Sequence, residues 1–292
     1  MAELWVDARA LLGECVLWCD QADALYWTDI EGSTLSRWNA ADGSTRSWTL
    51  PERVGSFALC GQASQLLLGL ASGIALFDLD RCAMSPVVPV AADQPGTRIN
   101  DGRCDAQGRF VFGLFNEQPE PIGHFYRVDA DLRIETLPLP TVTVANSIAF
   151  SPDGTRMYFA DSPTRLIHQV AYSADGRIGK PSVFARLGPQ EGYPDGSAID
   201  ADGGLWNAQW DGSCVVRYAA DGSETERLAL PTRRPTCPAF GGTGRDRLFV
   251  SSARIGLSDA TLAEQPHAGG IFALSPRRRG LPEHRFITRL RA

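Results

Sequence analysis

The chain has 292 residues, 43% hydrophobic and 21% charged, with a formal net charge of −6. That balance is ordinary for a globular protein and argues against an electrostatic nucleic-acid footprint. No apolar run reaches the length of a membrane-spanning helix, and the basic run Arg277-Arg278-Arg279 reads as a solvated loop.

The N-terminal stretch MAELWVDARALLGE lacks a basic region followed by an apolar core, so a secretory signal is not expected. The seven cysteines are an odd number without a Cys-x-x-Cys pair, and Cys15 and Cys19 fit no standard zinc spacing. They predict free, mostly buried thiols in a reducing cytoplasm. The absence of a long exposed apolar stripe predicts a monomer.

Helical patterning is nearly absent. Short apolar runs recur instead: ALYWTDI (24–30), QLLLGL (65–70), RFVFGLF (109–115), RMYFAD (156–161), GLWNAQW (204–210) and RLFVSS (247–252). Asp-Gly turn signals at 42, 153, 175, 202 and 221 punctuate them. Short strands with regular turns mean an all-β chain.

The runs superpose as six copies of one hairpin. ECVLWCDQADALYWTD (14–29) aligns without a gap on NSIAFSPDGTRMYFAD (146–161). GSFALCGQASQLLLG, NDGRCDAQGRFVFG, DGSAIDADGGLWNA and TCPAFGGTGRDRLFV follow the same plan. Their first residues, 14, 55, 100, 146, 195 and 236, are spaced by 41, 45, 46, 49 and 41. That period is blade-sized, so the chain is predicted to be a single six-bladed β-propeller domain, 1–292, of four-stranded antiparallel blades. The ring is expected to close by pairing of N-terminal LWVDA with a late strand such as GGIFAL.

The first residue of each copy should begin an innermost strand at one mouth of the central channel. Those residues are Glu14, Gly55, Asn100, Asn146, Asp195 and Thr236. Gly55 aside, all carry side-chain oxygen, and such hard donors suit Ca²⁺, Mg²⁺ or Mn²⁺. None of the four histidines falls at this position. No nucleophile elbow, His-Glu-x-x-His, Walker loop or dinucleotide fingerprint is present, which leaves metal-assisted hydrolysis as the strongest enzymatic option. Arg98 stands two residues before Asn100 and suits a hydroxyl or carboxylate of a polyol-like substrate, or a surface ion pair. Tyr193 and Trp210 are candidates for the wall of a pocket or for packing.

LLGE (11–14), RINDGRCDAQGR (98–109), Asn146-Ser147, YPDGSAIDADGGLW (193–206) and the late AFGG…SSARIGLS…AGGIFAL together carry a resemblance over nearly the whole chain. It resembles the senescence marker protein/regucalcin/gluconolactonase family, in particular its bacterial sugar-lactonase branch. The resemblance implies hydrolysis of an aldono-lactone such as arabinono-, xylono- or galactono-lactone. It implies one divalent cation (Ca, Mg, Mn, Zn or Fe(II)) held by Glu14, Asn146 and Asp195, with Asp195 also the catalytic base. It implies substrate contacts from Arg98 and Asn100, and from an acidic residue corresponding to Glu117 or to Gln118. The family's usual Gly-Pro after the first glutamate is Cys15-Val16 here, so a local departure of the backbone is expected. Two rival readings remain open: a phosphotriesterase-like or aryl-ester hydrolase, and a non-enzymatic calcium-binding regulator.

Overall fold

The computed structural model describes residues 2–290; Met1, Arg291 and Ala292, at the ends of the expected domain, lie outside the described residues. Six antiparallel sheets follow one another along the chain as the blades of a propeller. Their innermost strands are Gly13–Cys19, Val54–Leu59, Thr97–Cys104, Ala145–Phe150, Tyr193–Ile199 and Pro235–Gly241. Five blades have four strands. In the second, the outer strand is broken into Ala83–Met84 and Val88–Pro89, both paired with Gly73–Asp78. Pro86 and Pro89 lack the N–H a continuous strand would need.

The blade strands are apolar on both faces because each blade is sandwiched between two others. Leu66, Leu68 and Leu70 pack toward the first blade, whereas Leu67 of the same strand packs toward the third. The core is accordingly six apolar wedges, one between each pair of neighbouring blades. The last wedge closes the ring, with Val16, Leu25 and Trp27 against Phe249 and Ile271. As expected, N-terminal strand Glu3–Val6 completes the last blade by pairing with Ile271–Leu274 (Leu4 opposite Phe272). The tail after residue 275 crosses several blades: Gly280 bridges Asp200, Phe286 bridges Cys60, and Arg103 donates to Glu283 at 2.6 Å.

The backbone separates two kinds of Asp-Gly. Gly43, Gly154, Gly176, Gly203 and Gly222 have positive φ and serve turns. Asp101-Gly102 and Asp195-Gly196 lie inside innermost strands at breaks in the strand register. Such a break recurs at the same place in all six blades, for example between Glu14 and Leu17 and between Asn146 and Ala149. A bulge bends its strand and re-aims one side chain. Here it turns the leading side chains out of the ladder at one end of the channel. Among the described residues all seven cysteines are free, and only Cys82 is exposed.

Candidate active site

Four of the six repeat positions meet. Glu14, Asn100, Asn146 and Asp195 line one cavity of about 410 Å³, together with Arg98. Phe115, Tyr193 and Trp210 form aromatic walls, and Ser162 and Pro163 contribute from a loop of the fourth blade. Gly55 and Thr236 do not line it. A Cβ on Gly55 would collide with the backbone of Ile99 and Asn100, so this position is given up to close blade packing. The Thr236 hydroxyl donates to the Gly13 carbonyl and pairs with Ser251 Oγ at 2.8 Å, which ties the last blade to the first.

Arg98 is fixed on three sides. Its Nη1 donates to Asn100 Oδ1 at 2.6 Å and to the Ile99 carbonyl at 3.2 Å, and its guanidinium lies 4.4 Å from the Phe115 ring centroid. Burial pulls its pKa down to about 10, which still leaves a cation at neutral pH. Its buried Nε has no partner among the described residues. Asn100 in turn donates to the Ala145 carbonyl at 2.9 Å and, longer, to Asn146 Oδ1 at 3.4 Å.

The carboxyls are electrostatically frustrated. Burial, then repulsion from Asp101, lifts Glu14 to about 8. Burial, then the Glu14 charge, lifts Asp195 well above the ordinary carboxylate range. Asp195 is only 4% exposed, and its Oδ1 is buried without a hydrogen-bond partner. The bulge that carries it is held from below by Asn207, whose Nδ2 donates to the Asp195 carbonyl at 2.9 Å. Asp101 is a strut between blades: its carboxylate accepts the Ile148 N–H at 2.7 Å. Cys15 and Cys237, the thiols beside the site, are pushed up by burial and stay protonated, so neither offers a thiolate.

No group of three or more His, Cys, Asp or Glu side chains suited to a metal stands together among the described residues. The donors here are instead two carboxyls and amide oxygens. An orphaned buried carboxylate oxygen beside a second carboxyl of raised pKa is the chemistry that a hard divalent cation with completing waters would satisfy. The residues therefore fit the implied ion.

Glu117 is not brought into the cavity. Its exposed side chain accepts from Arg53 at 2.9 Å, outside the lining, although near enough to act on the Arg98 charge. Gln118 lies in the same loop and does not line the cavity either. Ser162, Phe115 and Asp101 were not found by sequence reasoning. Asp101 follows Asn100 in an Asp-Gly pair, a signal indistinguishable from a turn until the bulge is seen. Ser162 lies off the repeat position altogether.

Residues 12–254 match the SMP-30/Gluconolactonase/LRE-like region. The chain is 50% identical to L-arabinolactonase of Azospirillum brasilense, over 98% of this chain and 95% of that protein. It is 37% identical to 6-deoxy-6-sulfogluconolactonase of Pseudomonas putida, over 92% of each. The crystal structure of a calcium-binding protein, regucalcin, from Agrobacterium tumefaciens superposes with a TM-score of 0.93 at 30% identity, covering 98% of this chain and 97% of that one. Six blades around a cavity of buried oxygens, with likeness of this extent, place the chain in the SMP-30/gluconolactonase/LRE-like family.

Proposed function

We propose that this protein is a sugar lactonase, a carboxylic ester hydrolase that opens an aldono-lactone of the L-arabinono-lactone kind to its aldonic acid. The observation that carries the reading is the convergence of Glu14 and Asp195, one with an orphaned buried oxygen, beside Arg98 in one aromatic-walled cavity. The relative at 50% identity over nearly the full length supports arabinono-lactone as the first substrate to try. The free, mostly buried thiols support assignment to a reducing compartment such as the cytoplasm.

Glu14, Asn146 and Asp195 would hold one divalent cation, which when bound supplies Lewis-acid polarisation of the ester. The rest of the chemistry belongs to the chain. Arg98, which lines the cavity with its guanidinium held over Phe115, binds an oxygen of the sugar ring or a hydroxyl. Tyr193 and Trp210 sit opposite each other in adjacent strands and offer an apolar face to ring C–H groups. The Asp195 carboxylate accepts a proton from the water whose oxygen attacks the lactone carbonyl carbon. The ring C–O bond then breaks, and that proton passes to the departing alkoxide, leaving a hydroxy acid. A free aspartate is a weak base, with a pKa of about 3.9. Burial and the Glu14 charge raise the proton affinity of Asp195 and counter the acidifying pull of a cation.

The test is pH-stat hydrolysis of L-arabinono-, xylono- and galactono-lactone, with phenyl acetate as the control for an aryl esterase. Asp195→Asn is expected to lower turnover by about 10²–10⁴-fold with the melting curve preserved. Chelation is expected to silence wild-type activity, and added cation to restore it. Near wild-type turnover in Asp195→Asn would remove the base, and activity surviving exhaustive chelation would remove the cation. A protein that binds Ca²⁺ but opens no lactone would be the regulator.

A further inference from the structure

A line of side chains with obligatory hydrogen-bond polarity runs across three blades. It begins at Arg98, which can only donate, so Asn100 must present Oδ1 to it at 2.6 Å. Asn100 Nδ2 then faces the Ala145 carbonyl and Asn146 Oδ1. At the far end the Pro194 carbonyl can only accept. Ser162 Oγ, 2.7 Å away, therefore spends its one proton there. Having done so, Ser162 can only accept from Asn146, 2.9 Å away, and Asn146 must turn Nδ2 to it. The oxygen of the Asn146 amide is thereby left to the donor set. Pro194 immediately precedes Asp195, so the same hydroxyl ties that amide to the backbone carrying the other donor.

Ser162 is itself well held. It opens the single-turn 3₁₀ helix Ser162–Thr164, and its N–H donates to the Val144 carbonyl at 3.1 Å. Asp161 before it accepts the N–H groups of Thr143 and Val144 at 3.1 and 3.0 Å. Arg165 after it, at φ 59°, donates to the Gly192 carbonyl at 2.7 Å and lies 4.1 Å from the Tyr193 ring centroid. The loop of the fourth blade thus grips the strand of the fifth that bears Asp195.

We propose that Ser162 is a positioning residue, which orients the Asn146 amide so that its oxygen rather than its nitrogen meets the cation. The proposal rests on the lactonase reading of this site. Without Ser162 the amide is steered only by the long Asn100 contact. A flip then sets a donor against a positive charge. Groups that orient metal ligands in this way are worth about 10–100-fold in affinity.

The experiment is calorimetric titration of Ca²⁺, Mn²⁺ and Zn²⁺ into chelator-stripped wild type and variants, alongside lactone kinetics and melting curves of the stripped proteins. Ser162→Ala is expected to bind the cation about 10–100-fold more weakly with little change in the stripped melting curve, and Ser162→Thr to recover affinity. In an Asn146→Asp background either terminal atom is an oxygen, and Ser162→Ala is expected to have no further effect on affinity. Wild-type cation affinity in Ser162→Ala overturns the proposal. So does a raised KM with unchanged cation affinity, which would make Ser162 a substrate contact only. Wild type that neither binds cation nor opens lactone overturns the lactonase reading and the proposal with it. Active wild type with an indifferent Ser162→Ala overturns the positioning role alone.

Discussion

Arg98 shows how much work one side chain does in this cavity. One nitrogen holds the Asn100 amide, the guanidinium lies over Phe115, and the residue lines the cavity. A lysine there would keep the charge and lose the geometry. Its ammonium cannot stack and cannot hold Asn100 while reaching a substrate, and burial would depress its pKa further. A charge-assisted hydrogen bond contributes about 1.5–3 kcal/mol. Arg98→Lys is therefore expected to raise KM for the lactone about 10–100-fold, with a smaller fall in kcat, as read from initial rates. An unchanged KM would take Arg98 out of substrate binding. Arg98 was legible from its place in TRINDGR, because a charge two residues from the repeat position stays on the same side of a strand. Glu117 was not, because a loop residue has no register to place it, and it has settled on Arg53.

At the level of the element, the bulge is the device that makes a site out of a strand. In the first and fourth blades it is built on a non-glycine residue in the left-handed region, Cys15 at φ 48° and Ser147 at φ 61°. An L-residue pays about 1–2 kcal/mol for that conformation. At Cys15 the cost is offset by a link between blades: Sγ accepts the Phe57 N–H at 3.3 Å and approaches its carbonyl at 3.5 Å. Cys15→Ala and Cys15→Gly both lose the link, and only alanine keeps the strain. The glycine variant is expected to be more stable than the alanine variant by about 1 kcal/mol, seen as a melting midpoint a few degrees higher. Equal midpoints would show that φ at position 15 carries no cost. The missing Gly-Pro marks this place in the sequence, and in the fold a cysteine takes up the left-handed turn.

For the whole molecule, stability lies in a closed ring of wedges rather than in one central core. Opening one seam therefore affects every blade. Strand Glu3–Val6 provides the outer edge of the last blade and half-buries Leu4, Trp5 and Val6. Removing residues 2–7 would strip those three side chains from the seam and uncover the edge of Ile271–Leu274. Full burial of such a side chain contributes about 1.5–3 kcal/mol, so half-burial of three suggests a loss of about 2–5 kcal/mol. The truncated protein is expected to melt well below the parent and to aggregate through its bare strand edge. Melting like the parent would show that the ring does not depend on this closure.

The number of blades and the positions at which each innermost strand turns toward the channel can be read along the sequence, which also pointed to a late strand such as GGIFAL as the partner of the first. Strand length, turn chemistry and burial on both faces are local demands that recur in every copy, so they leave a period that can be read in one dimension. Which of those six positions share a cavity is settled by how the blades pack against one another. Gly55 and Thr236 are claimed by contacts to neighbouring blades, and Ser162 enters from a loop off the period. The distance between blades and the hydrogen-bond polarity across them belong to no single stretch of chain, and they set the orientation of Asn146 and the orphaned oxygen of Asp195.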